Sequence, residues 1–171
     1  MTSATGSAQE AVGSTAVIFG CSGPVLLPEE RAFFREVDPF GFILFARNVE
    51  APDQLGRLTR DLREAVGRDA PILVDQEGGR VQRLRSPHWH DWDPPFDTVA
   101  RARSMTEAER VMRARAMVIG AELRAVGIDA NCAPVADVAR KATHPFLRNR
   151  CYGSDPGTVS KVARAVAEGL L

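Results

Sequence analysis

The densest group of reactive side chains lies in the segment Pro71-Ile-Leu-Val-Asp-Gln-Glu-Gly-Gly-Arg-Val-Gln-Arg83. Three apolar residues, Ile72 to Val74, indicate a short buried strand, and Asp75 and Glu77 follow at its end. The two glycines that come next allow a tight turn or a close approach of the backbone to a ligand. Because burying an unpaired charge is costly, acids and bases at such a place must pair or meet a polar ligand. The segment is therefore either an ion-paired turn or a polar binding site.

The spacing alone permits Asp75 and Glu77 to act as the carboxylate pair of a retaining glycosidase, in which the two groups lie about 5 Å apart. The alternative is that Arg80 and Arg83 return toward the two carboxylates and neutralise them. The glycines do not form a phosphate-binding loop, since the Gly-Lys-Ser/Thr ending and the wider glycine spacing of nucleotide fingerprints are both missing. We therefore set nucleotide binding aside.

A second polar cluster, His88-Trp-His-Asp-Trp-Asp93, contains His-x-His beside carboxylates. It is a weak metal signal, because no further ligand has a diagnostic spacing, and we predict neither a metal nor another cofactor. A surface lid held by tryptophan packing explains the cluster better. A third interpretation places an indole against a sugar ring, but the sequence does not select Trp89 over Trp92.

Strands and helices alternate along the chain, with strands predicted over 15–21, 41–46, 72–74 and 128–135 and helices over 28–37, 52–66, 106–126 and 156–170. Four strand–helix units predict a parallel sheet with right-handed crossovers. A small doubly wound sheet and part of an eight-stranded barrel both remain open, and both place the site at the carboxyl ends of the strands. Those ends and the loops after them carry Arg47, Asn48, Asp75, Glu77, Asp137 and Arg150.

Two local expectations concern the segment between the third and fourth strands. Residues 86–103 are expected to form a long lid or binding loop. A capping box formed by Thr106 and Glu109 is expected to start the third helix.

The composition narrows the class of protein. The chain has 171 residues, of which 44% are hydrophobic, enough for one core and one domain. Lys and Arg number 22 and Asp and Glu number 22, so the formal net charge is zero. No long-range field would attract nucleic acid or an anionic membrane, and no apolar run approaches the ~20 residues of a membrane helix.

The chain start and the cysteines indicate a cytoplasmic protein. Residues 1–14 are small and polar and lack the basic start and apolar centre of a secretory signal, so we predict a disordered tail there. The three cysteines are odd in number and widely spaced, which fits reduced thiols. Packing is the expected role of Cys21 and Cys132, because both sit in apolar, strand-like runs.

Taken whole, the run Val-Asp-Gln-Glu-Gly-Gly-Arg-Val-Gln-Arg83 resembles the signature of glycoside hydrolase family 3, and especially its bacterial cytoplasmic β-N-acetylglucosaminidases of cell-wall recycling. The segments Gly41–Asn48, Glu122–Val138 and Arg150–Asp155 extend the resemblance from about residue 15 to Leu171. It implies an α/β fold in which residues 15–171 form the N-terminal half of a TIM-type parallel (β/α) barrel, with four strand–helix units. The chain would then be truncated within the catalytic domain.

The resemblance also implies the roles of individual residues. In the family, the Asp of this motif holds sugar hydroxyls, which makes Asp75 a substrate-binding residue and not a catalytic one. Arg83 and Arg150 match two further substrate contacts. The sugar-binding Lys-His pair, the His that acts as acid/base and the nucleophilic Asp all follow the matched part in the family. No catalytic residue is therefore expected in this chain.

The implied function is that of a retaining exo-β-N-acetylhexosaminidase that releases terminal N-acetylglucosamine from peptidoglycan fragments in the cytoplasm. Its partner would be a small saccharide or muropeptide, without nucleic acid, membrane or an obligate protein partner. The alternatives are a related β-glycosidase of other sugar specificity and a non-catalytic carbohydrate-binding fragment. The isolated chain is expected to be inactive, because it lacks the nucleophile and the general acid. It is also expected to self-associate, since half a barrel leaves strand edges open.

Overall fold

The computed structural model describes residues 15–171, and the tail predicted over residues 1–14 lies outside this range. The strands are β1 (Thr15–Phe19), β2 (Pro39–Leu44), β3 (Ile72–Val74) and β4 (Ala130–Asn131). The helices are α1 (Pro28–Val37), α2 (Pro52–Val66), α3 (Pro95–Ala100), α4 (Met105–Ala125), α5 (Pro145–Arg148) and α6 (Pro156–Leu170), with a 3₁₀ turn over Ala46–Asn48. The four predicted strand–helix units are confirmed.

The order of the strands in the sheet decides between the two predicted architectures. All neighbours are parallel, and their order in space, β1-β2-β3-β4, is their order in the chain. In a doubly wound sheet the order of the strands reverses at a switch point, so helices cover both faces. Here every right-handed crossover leads to the next strand in the same direction, which places every helix on one face of the sheet. The doubly wound alternative is therefore wrong, and the chain folds as part of a TIM-type (β/α) barrel.

The core lies between the sheet and this helical layer. Phe42 and Leu44 of β2 and Ile72 and Val74 of β3 are fully buried, because side chains two apart on a strand point to the same face. Helix α2 covers them with its own apolar face, made of Leu55, Leu58 and Leu62. A second cluster forms where α4 and α6 pack together, and it includes Met112, Ala116, Val159, Val162 and Val166.

The two outer strands, β1 and β4, leave the sheet open at its edges. On β1, Val17 and Ile18 are 40% and 42% exposed, so apolar side chains accompany unpaired backbone groups. An exposed apolar edge is a template for pairing with another chain. This arrangement supports the expectation of self-association, which stays a prediction. None of the helices within residues 15–171 has the length and apolarity needed to cross a membrane.

Three local predictions differ from the structure. The long loop at residues 86–103 contains helix α3, which begins with a proline at its first position. The predicted Thr106–Glu109 capping box is wrong, because Ser104 is already extended and its hydroxyl accepts a hydrogen bond from the Glu107 N–H at 3.2 Å. Strand β4 spans only Ala130–Asn131, because its partner β3 ends at Val74, which lies opposite Asn131.

Candidate functional site

Asp75 is the first residue after β3, at the carboxyl end of the sheet. Its Oδ2 accepts a hydrogen bond from Arg83 Nη2 at 2.7 Å, and both side chains are about one-fifth exposed, at 23% and 22%. The turn between them is closed by the Glu77 N–H, which donates to the Val81 carbonyl at 2.9 Å. A carboxylate has lone pairs beyond those that one arginine uses. Asp75 is therefore both paired and open to a polar ligand.

Glu77 is held by the arginine from the loop after β4. Arg150 donates from Nε to Oε2 at 2.8 Å and from Nη2 to Oε1 at 2.6 Å, and the Glu77 side chain is 4% exposed. The hydrogen bonds to Glu77 raise the pKa of Arg150, and the charges of Asp137 and Asp75 raise it further. The structure thus brings Asp75, Arg83 and Arg150 together at the carboxyl ends of β3 and β4, the edge of the sheet that we call the rim. Since each carboxylate is occupied by its own arginine, the geometry argues against Asp75 and Glu77 as a catalytic pair.

One interpretation of the sequence predicted that Arg80 returns toward the two carboxylates. The structure contradicts it. The guanidinium of Arg80 lies 3.5 Å above the ring of Phe146, and Nη1 donates to the Phe146 carbonyl at 3.1 Å. The reason is geometric: Arg80 occupies the tip of the turn and points out toward helix α5. This contact ties the turn to the loop that carries Arg150.

Cys132 lies at the rim, and the prediction that it packs in the core is wrong. In the parallel register Val74 is the partner of Asn131, so the next residues, Asp75 and Cys132, come side by side. Cys132 is exposed as a whole residue, although its sulfur is partly desolvated beside Asp75, and the Cys132 N–H donates to the Val74 carbonyl at 2.8 Å. Desolvation, followed by the hydrogen bond with Asp75, raises the pKa of the thiol to about 11.

The raised pKa predicts a slow thiol. Relative to its ordinary pKa of 9.0, a pKa of about 11 lowers the thiolate fraction of Cys132 about 100-fold at pH 8. Alkylation of Cys132 by iodoacetamide, followed by mass spectrometry from pH 7 to 11, should therefore accelerate only as the pH approaches 11. A synthetic peptide of residues 130–140 is the control, and a midpoint near 9 in the folded protein would contradict the prediction. Asp75→Asn should restore part of the reactivity, because desolvation is the larger cause.

Gln76 fixes the backbone of the turn, a role that was not predicted from the sequence. It alternates with Asp75 and Glu77, so its side chain points away from the rim and is buried. Its Oε1 accepts from the N–H groups of Arg83 at 2.9 Å and Leu84 at 3.1 Å. The two-residue alternation of the strand was the signal that could have identified it.

The polar residues after β2 support the site from a distance. Asn48 is fully buried, and its amide donates to the carbonyls of Cys21 at 3.1 Å and Gly23 at 2.8 Å. Arg47 donates to the same Cys21 carbonyl at 3.0 Å. These contacts join the exits of β1 and β2, which makes both residues braces of the rim.

The loop with the two tryptophans is held by packing. Trp89 belongs to the core, and the ring of His90 stacks on Trp92 with 5.3 Å between ring centres. His90 Nδ1 lies 2.6 Å from Glu122 Oε1. Within residues 15–171, no three His, Cys, Asp or Glu side chains come together in a way that could hold a metal ion.

Comparison with known proteins places this geometry in a family. The sequence model of the protein family described as "Glycosyl hydrolase family 3 N terminal domain" matches residues 29–171. A β-hexosaminidase of Bordetella avium is 36% identical over 156 residues, which are 90% of this chain and 44% of that protein. A β-hexosaminidase of Methylococcus capsulatus gives the same identity and coverage. The chain thus spans less than half the length of these relatives.

Solved structures agree. NagZ from Neisseria gonorrhoeae in complex with zinc ion superimposes with a TM-score of 0.84 at 28% identity, covering 93% of this chain and 48% of that one. The same protein in complex with N-trifluoroacetyl-D-glucosamine gives a TM-score of 0.83 at 27% identity, covering 93% of this chain and 47% of that one. With its sequential parallel strands and its Asp–Arg pair at the exit of β3, the chain belongs to glycosyl hydrolase family 3 and corresponds to the N-terminal domain of that family.

Proposed function

We propose that the protein carrying this chain is a retaining exo-β-N-acetylhexosaminidase, which releases terminal N-acetylglucosamine from peptidoglycan fragments. The observation that carries the proposal is the Asp75–Arg83 pair. It stands at the carboxyl end of a parallel strand, partly exposed, in a chain similar to β-hexosaminidases. The carboxyl ends of barrel strands are where enzymes of this architecture bind their substrates.

Three residues would bind the sugar. Asp75 suits hydroxyl recognition, because its oxygens accept more hydrogen bonds than Arg83 supplies. Arg83 would hold that carboxylate in a fixed orientation through its hydrogen bond. Arg150 uses Nε and Nη2 on Glu77, so its Nη1 group can reach a ligand. A site built this way rejects analogues that lack the hydroxyl, because its polar groups would then be left unpaired.

Residues 15–171 would supply part of the sugar site and none of the catalytic groups. Double displacement requires a nucleophile and a general acid, and we place both in the remainder of a longer enzyme. The enzyme would act in the cytoplasm on a small saccharide or muropeptide, without a cofactor. A formal net charge of zero agrees with a soluble saccharide substrate.

Two alternatives stay open. Asp75, Arg83 and Arg150 recognise hydroxyls but do not select an N-acetyl group, so a related β-glycosidase of other sugar specificity uses the same contacts. The second alternative is a non-catalytic carbohydrate-binding fragment.

The test compares two proteins and two substrates. The complete protein should hydrolyse an aryl β-N-acetylglucosaminide far faster than an aryl β-glucoside, with retention of anomeric configuration by NMR. The 171-residue chain should give no turnover above a heat-killed control. A preference for the glucoside would replace the sugar assignment, and turnover by the 171-residue chain would place a catalytic group within it.

A further inference from the structure

A buried arginine in helix α4 contacts the site from behind. Arg115 is 6% exposed, and within residues 15–171 it forms no salt bridge. Its hydrogen bonds go to neutral oxygens. Nη2 donates to the Glu77 carbonyl at 2.7 Å, and Nη1 donates to the Asp93 carbonyl at 2.9 Å and to Thr98 Oγ1 at 3.2 Å. Burial lowers the pKa of Arg115 to about 10, so it remains a cation at neutral pH.

The turn after β3 is shaped around this guanidinium. Gly78 has a φ of +99°, and a Cβ added there would lie 1.7 Å from Arg115 Nη2. On its other side the guanidinium carbon lies 5.3 Å from the ring centre of Trp92. Arg115 therefore fills the space between the turn and the loop with the tryptophans, and no side chain at position 78 could share it.

The segment that Arg115 holds also supports the loop of Arg150. The Gly79 N–H donates to the Trp92 carbonyl at 2.7 Å, and the Phe96 N–H donates to the Asn149 carbonyl at 3.2 Å. Residues 92–98 thus connect the turn to the residue next to Arg150. Glu77 links the two arginines directly, because Arg115 donates to its carbonyl and Arg150 donates to its carboxylate.

We propose that Arg115 is a positioning residue of the saccharide site. It fixes the backbone of Glu77, so that the Glu77 carboxylate holds Arg150 in the orientation that binds sugar. The inference rests on the proposed function, because it assigns Arg150 to the substrate. Only a planar fork reaches three oxygens of two segments at once, and the point charge of a lysine does not replace it.

The test is made in the complete protein with an aryl β-N-acetylglucosaminide. Arg115→Lys should lower kcat/KM about 10-fold, mainly through KM, because a small misplacement of a substrate contact is costly. Arg113→Lys is the matched control: Arg113 lies on the same helix, is exposed and pairs with Glu168. It should change kcat/KM by less than about 2-fold, since surface ion pairs contribute little.

A double-mutant comparison with Glu77→Gln distinguishes a positioning role of Arg115 from a purely stabilising one. In a Glu77→Gln background Arg150 has already lost its ionic clamp, so adding Arg115→Lys should cost less than about 2-fold. An equal loss in both backgrounds, or no loss from Arg115→Lys alone, would overturn the inference while leaving the proposed function standing. A wild-type protein without turnover would overturn the proposed function and the inference with it.

A second variant serves if Arg115→Lys does not fold. Thr98→Val preserves the shape of the side chain and removes one acceptor of Arg115. It should lower kcat/KM about 3-fold, as expected for part of one ordinary hydrogen bond, because Arg115 keeps its hydrogen bonds to the carbonyls of Glu77 and Asp93. The loss should again disappear in the Glu77→Gln background. A loss that persists there would contradict the proposed route through Glu77.

Discussion

Replacing Asp75 by alanine in the complete protein should lower kcat/KM for an aryl β-N-acetylglucosaminide by about 10³-fold. The carboxylate is the acceptor that we assign to the sugar hydroxyls, and it also holds Arg83 at 2.7 Å. Its removal therefore deletes one recognition group and releases a second. Steady-state kinetics measure the loss, and thermal unfolding of the same samples establishes that the variant is folded.

Two further variants make this result specific. His88→Ala removes an exposed ring that meets Trp89 edge-on, with 5.7 Å between ring centres, and should change kcat/KM by less than about 2-fold. Asp75→Asn keeps the shape of the side chain and removes its charge, so the decrease in kcat/KM should lie between those of Asp75→Ala and His88→Ala. Equal and small effects of Asp75→Ala and His88→Ala would remove Asp75 from the site.

The elements that follow local rules could be predicted from the sequence. Helix α2 begins at Pro52 and ends before Gly67, which has a φ of +67°, as its proline, leucine spacing and glycine indicate. The Asp75–Arg83 pair could be predicted for the same reason, since a turn with two glycines brings the chain back to the end of the strand that it left. Local signals were not sufficient throughout this turn, because Arg80 turns away toward α5 and the buried Gln76 binds the N–H of Arg83.

Other contacts that the sequence did not predict join distant parts of the chain. Arg150 reaches Glu77 across 73 positions, and this depends on the path of the loop after β4. Cys132 reaches Asp75 because of the register between β3 and β4, which no single segment encodes. Arg115 did leave a signal: it lies three residues after Met112 and four before Ile119, on the buried face of α4. A charge on an apolar face needs a partner, and here the partners are carbonyls of the site.

Because the turn is built around Arg115, Gly78 should be the least tolerant glycine of the site. Gly78→Ala should lower the free energy of unfolding by about 3 kcal/mol, since it combines a strained positive φ with overpacking. The added Cβ would lie 1.7 Å from Arg115 Nη2, 2.9 Å from its Cζ and 3.0 Å from the Cβ of Trp92. Urea unfolding followed by tryptophan fluorescence gives the value, and the kinetics of the variant should show a raised KM because the guanidinium must move.

Gly56→Ala is the matched control, because it adds the same methyl group with the opposite expectation. Gly56 lies within helix α2, and the nearest atom to an added Cβ is the end of the Arg60 side chain at 3.7 Å. With no clash, alanine should raise the free energy of unfolding by about 0.5–1 kcal/mol through its higher helix propensity. If Gly78→Ala cost no more than about 1 kcal/mol, the turn could yield to a side chain, and Arg115 would not be the rigid support that holds Glu77 against Arg150.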